Sequence, residues 1–276
     1  NTRTLDPLLP RYVSTVDSGN LVGQLLVHAT GLRMLTETEI VPRQIVKGLQ
    51  DTLRILRHET HTQHVAVEQD GLPGIDGRAI RAMDRHIDGL DRCAYSLSSI
   101  AGLLPRLSSD AAEFRTLVQG HPEPQWWADA FIRSCVDHLA DLRQLAAWAL
   151  IPPPPEAIWS HGPPEQIQEL KNLRLLLDQL DTVPTLREVA TLSESLGAVI
   201  QRILGIHAAA TLKPQPQNDV TLPPLGAPST FQSEPGLMSG ESLHWIYQLQ
   251  TAMQESSQAA TEKIRRLEHL AVQCEE

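Results

Sequence analysis

Polar side chains suited to a hydroxyl-rich ligand are concentrated near the beginning of the chain, in residues 10–21. Ser, Thr, Asp and Asn crowd positions 14–20, where an apolar-periodic stretch that predicts a helix begins. Carboxylate and amide side chains hydrogen-bond sugar hydroxyls, and the ring of Tyr12 would add a flat apolar surface. The segment therefore has the composition of a carbohydrate-binding site at a helix N-terminus.

The same residues also fit a purely structural role as the cap of that helix. Ser14 and Asp17 have the spacing of a capping box, and an acid in the first turn interacts favourably with the helix dipole. A capping box uses two polar residues, and this segment contains more. From the residues alone, ligand binding and helix capping both remain open.

Three histidines form the next group with possible chemistry. His58, His61 and His64 would share one broad face of a helix, which is compatible with a zinc site. The protease motif H-E-x-x-H requires its second histidine at position 62, which is Thr62 here. Histidines near a helix end commonly satisfy last-turn carbonyl groups. We therefore predict a solvated surface and no metal site.

Signatures of nucleotide, cofactor or acyl-transfer chemistry are missing from the sequence. It contains no G-x-G-x-x-G, P-loop, G-x-S-x-G or kinase signature, and no cofactor is predicted. Trp127 and Trp148 fall on or near a predicted core stripe, which favours packing over sugar stacking, whereas Trp159 in a loop is not assigned. The three cysteines are far apart, which favours free thiols in a reducing compartment.

The charge balance limits the partners of the chain. Its 276 residues carry 33 acidic and 23 basic side chains, for a net charge of -10. A phosphate backbone or an anionic membrane surface would be repelled on average, so we predict no nucleic-acid partner and no direct membrane contact. No run approaches the roughly 18 apolar residues of a membrane span, and the first residues lack a signal-peptide pattern. These features predict a soluble segment.

Apolar periodicity predicts an all-α fold. Residues 80–104 carry the most regular pattern, with three- and four-residue steps that predict one long bundle or coiled-coil helix. Residues 127–149 repeat the pattern, and the Pro and Gly breakers between them predict an antiparallel hairpin within residues 76–150. Further stripes predict helices that cover residues 21–35, 45–56, 167–180, 186–204 and 243–270. The first of these stripes consists of Leu21, Leu25, His28, Leu32 and Leu35.

The two ends and one internal segment differ from this helical pattern. Residues 209–238 are rich in Pro, Gly, Ser and Gln without periodicity, which predicts a flexible loop or linker. The last apolar stripe is still running where the sequence stops, and no glycine stop signal follows it. We therefore expect a piece of a larger protein and not a self-sufficient enzyme.

Residues 1–23 resemble a known family. They read NTRTLDPLLPRYVSTVDSGNLVG, which is similar to the glucoamylase-like, cyclising region of bacterial cyclic β-1,2-glucan synthases. In that family the stretch reads close to T-x-x-L-x-P-L-P-P-R-Y-V-S-T-V-D-S-G-N-L-A-G. Leu9 stands in place of the usual proline and Val22 in place of the usual alanine. The remaining residues match only in character, as the variable helical stretch that follows the motif.

The resemblance implies an architecture for the whole chain. The fold would be all-α, with part of an (α/α) toroid and a long antiparallel helical-bundle insertion. Residues 1–41 would be the motif-bearing piece of the glucoamylase-like toroid and residues 42–208 the insertion. Residues 209–238 would be the linker and residues 239–276 a long terminal helix.

The resemblance also implies a substrate and a cellular place. The parent would be a membrane-bound enzyme that elongates β-1,2-glucan from UDP-glucose and closes the ring, with this segment on the cytoplasmic face of the inner membrane. Its partners would be β-1,2-glucan and the remainder of that multidomain protein. The implied glucan-binding residues are Arg11, Tyr12, Asp17, Ser18 and Asn20.

The catalytic residues are left unknown. Retaining transglycosylation needs two carboxylates about 5–5.5 Å apart, and at least one is expected to lie outside this sequence. Asp17 is the acid assigned to the glucan site, as a binder ahead of a catalyst, and the segment alone is expected to be inactive. The competing hypothesis is a non-catalytic helical scaffold or regulatory module in which residues 10–21 merely cap a helix.

Overall fold

The computed structural model describes residues 14–69, 77–92, 94–160, 162–212 and 238–276, and in these ranges the fold is all-α, as predicted. Arg11, Tyr12 and most of the predicted linker lie outside the described residues. The described α-helices are α1 Thr15–Met34, α2 Arg43–Gln69, α3 Gly77–Asp91, α4 Leu97–Leu117, α5 Pro122–Leu145, α6 Pro164–Leu180, α7 Leu186–Leu212 and α8 Gly240–Glu275. Short 3-10 helices follow α1 at Leu35–Glu37 and α5 at Ala147–Leu150 and Glu156–Trp159.

Helices α2 to α8 form a bundle around one hydrophobic core. The principal packed pairs are α7 with α8, α4 with α5, α2 with α5 and α6 with α7. The buried core residues run from Val41 to Ala260, and Phe131 is the largest of the described side chains that are completely buried. The connection that precedes α2 is hydrogen-bonded to the connection that precedes α7. The Ile40 N–H donates to the Pro184 carbonyl at 2.9 Å, and the Leu186 N–H donates to the Thr38 carbonyl at 3.1 Å.

The single long helix predicted over residues 80–104 is wrong, because the chain breaks between α3 and α4. Ser96 caps α4 by accepting from the Ser99 N–H at 3.2 Å. Asp181, at the end of α6, accepts from the Leu97 N–H through its carbonyl and from the Ser98 N–H through its carboxylate. The first turn of α4 is therefore completed by a residue that is remote in sequence.

The predicted antiparallel hairpin exists with different limits, between α4 and α5. These helices pack together and are joined by residues 118–121, a connection too short for a parallel arrangement. Gly120 has a φ of 87°, in the left-handed region where glycine carries no steric penalty. Pro105, predicted as a breaker, lies inside α4, where it costs one main-chain hydrogen bond without ending the helix.

Helix α1 differs from the bundle helices because it is hardly buried. It packs mainly against α8, and none of its residues belongs to the bundle core. The helix predicted here is confirmed, but its apolar stripe is not a buried face. Leu21 is 57% exposed, and Ala29 is buried beside α8. The apolar residues of α1 therefore form a helix, but most of them are not buried by the described part of the chain.

Among the described helices, α7 is long and apolar enough to span a membrane by length and composition. The sequence had predicted no such segment. Core helices of globular proteins meet the same criterion, and seven α7 residues, including Val189 and Ile203, are buried against the bundle. The criterion alone is therefore weak evidence for a membrane span.

Candidate functional site

The polar segment predicted to bind carbohydrate forms the N-terminus of α1. Ser14 has an extended backbone and its Oγ accepts a hydrogen bond from the Asp17 N–H at 3.2 Å. This bond satisfies one of the donors that every helix start leaves free. The capping role of Ser14 is therefore real and accounts for one of the polar residues in the segment.

The remaining candidates in the described ranges, Asp17, Ser18 and Asn20, are exposed in the first two turns of α1. Their side chains have no hydrogen-bond or ion-pair partner among the described residues. Helical spacing puts Asp17 and Asn20 on one face, whereas Ser18 is about 200° around the axis from Asn20. The structure thus brings two of the three together, and no described residue occupies the polar groups of any of the three.

The other end of α1 carries a charged cleft of about 610 Å³ where α1, α7 and α8 meet. Arg33 of α1 donates through both terminal nitrogens to the Glu275 carboxylate of α8, at 2.5 and 2.7 Å. Arg187 of α7 pairs with Glu37 and donates to the Thr36 hydroxyl at 3.2 Å. These bonds fix the base of α1 against the bundle.

The carboxyl groups whose pKa is perturbed in the described part of the chain are held ionised by arginine. Hydrogen bonds lower the pKa of Glu275 beside Arg33 and of Glu169 beside Arg202, and two arginines lower that of Glu262 to about 2. A general acid in glycoside chemistry needs the opposite, a raised pKa. We therefore assign these three carboxylates to ion pairs at the surface.

The three clustered histidines, Trp148 and Cys135, which the sequence analysis had also considered, lie outside the α1 segment. His58 and His61 are exposed on α2, which continues through Gln69 instead of fraying there, and the side chain of His64 is outside those described. Trp148 packs in the core, as predicted, and burial raises the pKa of the Cys135 thiol to about 12.

Trp159, which the sequence left unassigned, packs edge-on against the buried Trp245 with Arg174 over its ring. This position indicates a packing role for Trp159.

Sequence reasoning missed the residues that hold α1 in place. Arg33 and Glu275 are 242 positions apart, and Arg187 and Glu37 are 150 apart. Each is an ordinary charged helix residue with no motif around it. An alternation of apolar and polar positions indicates that such residues face outward, but it carries no information about which opposite charges meet.

In class, the described chain is an all-α helical bundle with one weakly buried helix that presents unpaired polar groups at its N-terminus. Comparison with known proteins gives one further indication. Over 151 residues the chain is 29% identical to the cyclic beta-(1,2)-glucan synthase NdvB of Rhizobium meliloti (strain 1021). The match covers 51% of this chain and 5% of that protein. No protein-family model matches the chain. No solved structure matches it either.

Proposed function

We propose that this chain is part of a protein that makes cyclic β-1,2-glucan, and that the start of α1 binds glucan in its ring-closing, toroid-type region. The observation that carries the proposal is the similarity to the glucan synthase of Rhizobium meliloti, together with the motif in residues 1–23. Asp17 and Asn20 supply a carboxylate and an amide on one exposed helix face, which suits sugar hydroxyls.

Substitution of Asp17 by Asn in the complete enzyme tests this proposal. The change keeps the side-chain shape and removes its charge. If Asp17 contacts the glucan during ring closure, we expect the ratio of cyclic to linear product to fall at least about tenfold, which corresponds to about 1.4 kcal/mol of transition-state stabilisation. Elongation from UDP-glucose should continue, so linear glucan should accumulate in membranes that carry the variant.

The scaffold alternative predicts a different result for the same variant. An acid that only interacts with the helix dipole contributes about 0.3–1 kcal/mol to stability. In that case the product ratio stays unchanged while the melting temperature falls slightly. One observation favours the scaffold alternative. Ser14 already caps α1, so helix capping by itself gives this polar segment a structural role.

The chain by itself should neither hydrolyse nor cyclise β-1,2-glucan. Retaining transglycosylation needs a pair of carboxylates, and we place at least one of them in another part of the parent protein. Incubation of the 276-residue chain with linear β-1,2-glucan, followed by mass spectrometry, checks this. Abundant cyclic or shortened products would contradict the assignment of this chain as a contributor of binding residues.

A further inference from the structure

Helix α1 and the end of α8 leave an unusual amount of apolar surface uncovered. Of the seventeen large hydrophobic side chains exposed in the described residues, eight lie on residues 16–35 and two, Leu270 and Val272, lie at the end of α8. Residues 18–32 contain no Asp, Glu, Lys or Arg. Exposed apolar surface concentrated in this way marks an interaction site.

The exposed apolar side chains of α1 surround the helix and do not form one stripe. By the helical angle of 100° per residue, Leu21, Leu26 and Val27 lie about 100–140° apart around the axis. A helix that is apolar on all sides is characteristic of the interior of a larger protein. A second copy in a two-fold dimer would cover one side of α1 and would leave the apolar side chains on its other sides exposed.

The polar residues in the middle of α1 are compatible with burial. His28 bonds through Nδ1 to the Gln24 carbonyl at 2.9 Å, and the Thr30 hydroxyl donates to the Leu26 carbonyl at 3.0 Å. These bonds stay within the helix, so they would persist when the side chains leave water. A helix that lies on a membrane surface has instead a strongly charged face, which α1 lacks.

We infer that α1 and the last turns of α8 form a composite docking surface that is covered by apolar helix faces of the remainder of a longer polypeptide. The exposure of this surface is observed whatever the function of the chain, whereas the identity of the polypeptide that covers it rests on the proposed function. The similar stretch is 5% of the matched glucan synthase, so in that protein it belongs to a much longer chain. The bundle α2–α8 would then extend outward from the domain that contains α1.

Amide hydrogen exchange of residues 18–28 tests the docking surface. It is measured in the 276-residue chain and in the full polypeptide encoded by the same gene. Docking should slow exchange of these amides at least about 100-fold in the full polypeptide, because the helix can then open only after it undocks. The double substitution Leu26→Glu with Val27→Glu should abolish this protection. The control Leu175→Glu, at a 63% exposed position of α6, should leave it intact.

The possible outcomes separate the alternatives. Equal exchange in both proteins, or protection that survives the double substitution, overturns the proposal, as would a gene that encodes nothing beyond these residues. Protection of the isolated chain that rises with its concentration would assign the surface to a second copy, and protection by anionic vesicles would assign it to lipid. If the Glu variants do not accumulate, Leu26→Ala with Val27→Ala should still reduce protection. None of these results depends on glucan, so failure here is distinct from failure of the proposed function.

Discussion

The bundle and helix α1 both contain many apolar residues but are stabilised in different ways. In α2 to α8 the apolar side chains meet one another, and residues such as Leu53 and Phe131 are completely removed from water. In α1 a sequence more apolar than that of most bundle helices stays exposed. The helix is held by its cap, by contact with α8 and by the Arg33–Glu275 pair. Apolar composition therefore predicts a helix that needs a core, but not whether the core is in the same chain.

The same difference distinguishes the stable part of the described chain, which is the bundle, from the part exposed to other molecules, which is α1. The bundle is stabilised by its buried apolar core, and several ion pairs lie at its surface. The start of α1 has polar side chains without a partner among the described residues, and the helix is little buried. A bound molecule or another part of a protein can therefore change the stability of this helix. A glucan contact and a docking contact at α1 would therefore each stabilise the same helix.

The largest expected contrast concerns removal of a large side chain from each region. Phe131→Ala should destabilise the isolated chain by about 3–5 kcal/mol, because it leaves a cavity among completely buried neighbours. Val27→Ala, at a 71% exposed position of α1, should change stability by less than about 0.5 kcal/mol. Chemical denaturation followed by circular dichroism measures both. A large effect of Val27→Ala would show that α1 belongs to the core after all.

A smaller effect is expected where α8 joins the bundle. The buried Ser256 hydroxyl accepts a hydrogen bond from the Ala147 N–H at 3.1 Å. Ser256→Ala leaves that N–H without its partner and should cost about 1–3 kcal/mol. Ser109→Ala at an exposed position of α4 is the matched control and should cost less than about 0.5 kcal/mol. Equal effects in the two variants would show that this bond does not stabilise α8 in the bundle.

The smallest effect is a pH response confined to the base of α1. The hydrogen bond from Arg33 holds the pKa of the Glu275 carboxyl below its ordinary value of 4.5. The pair therefore favours docking of α1 on α8 above about pH 4.5, and this contribution is lost as the pH falls through the lowered pKa. The bond is exposed, so salt should weaken it as well.

Nuclear magnetic resonance of the α1 amides checks this response. The resonances of residues 29–34 should shift with a midpoint below pH 4.5, and about 1 M salt should reduce the change. Glu275→Gln should remove the transition, whereas Glu276→Gln at the neighbouring position should leave it. A transition that persists in the Glu275→Gln variant would assign the response to a different carboxylate.

Much of the fold could be predicted because helix periodicity is a local property. The stripes in residues 167–180 and 186–204 correspond to α6 and α7, and Ser239 begins α8 by capping it, near the predicted position. The polar segment that caps α1 could also be read from the sequence, since side chain and backbone donor are three residues apart. Asp17, Ser18 and Asn20 were singled out by the crowding of polar residues and by the family resemblance, and their role in glucan binding stays a prediction.

The sequence by itself determined the helical class, most helix positions and the unusual polar start of α1, because each depends on neighbours within a few residues. The break between α3 and α4 was decided by tertiary structure, since Asp181 supplies hydrogen-bond acceptors to Leu97 and Ser98 from another helix. The exposure of α1 was decided in the same way. A stripe of leucines indicates which side of a helix is apolar, but burial requires a second surface. Only the folded structure reveals that most of α1 has no such surface among the described residues.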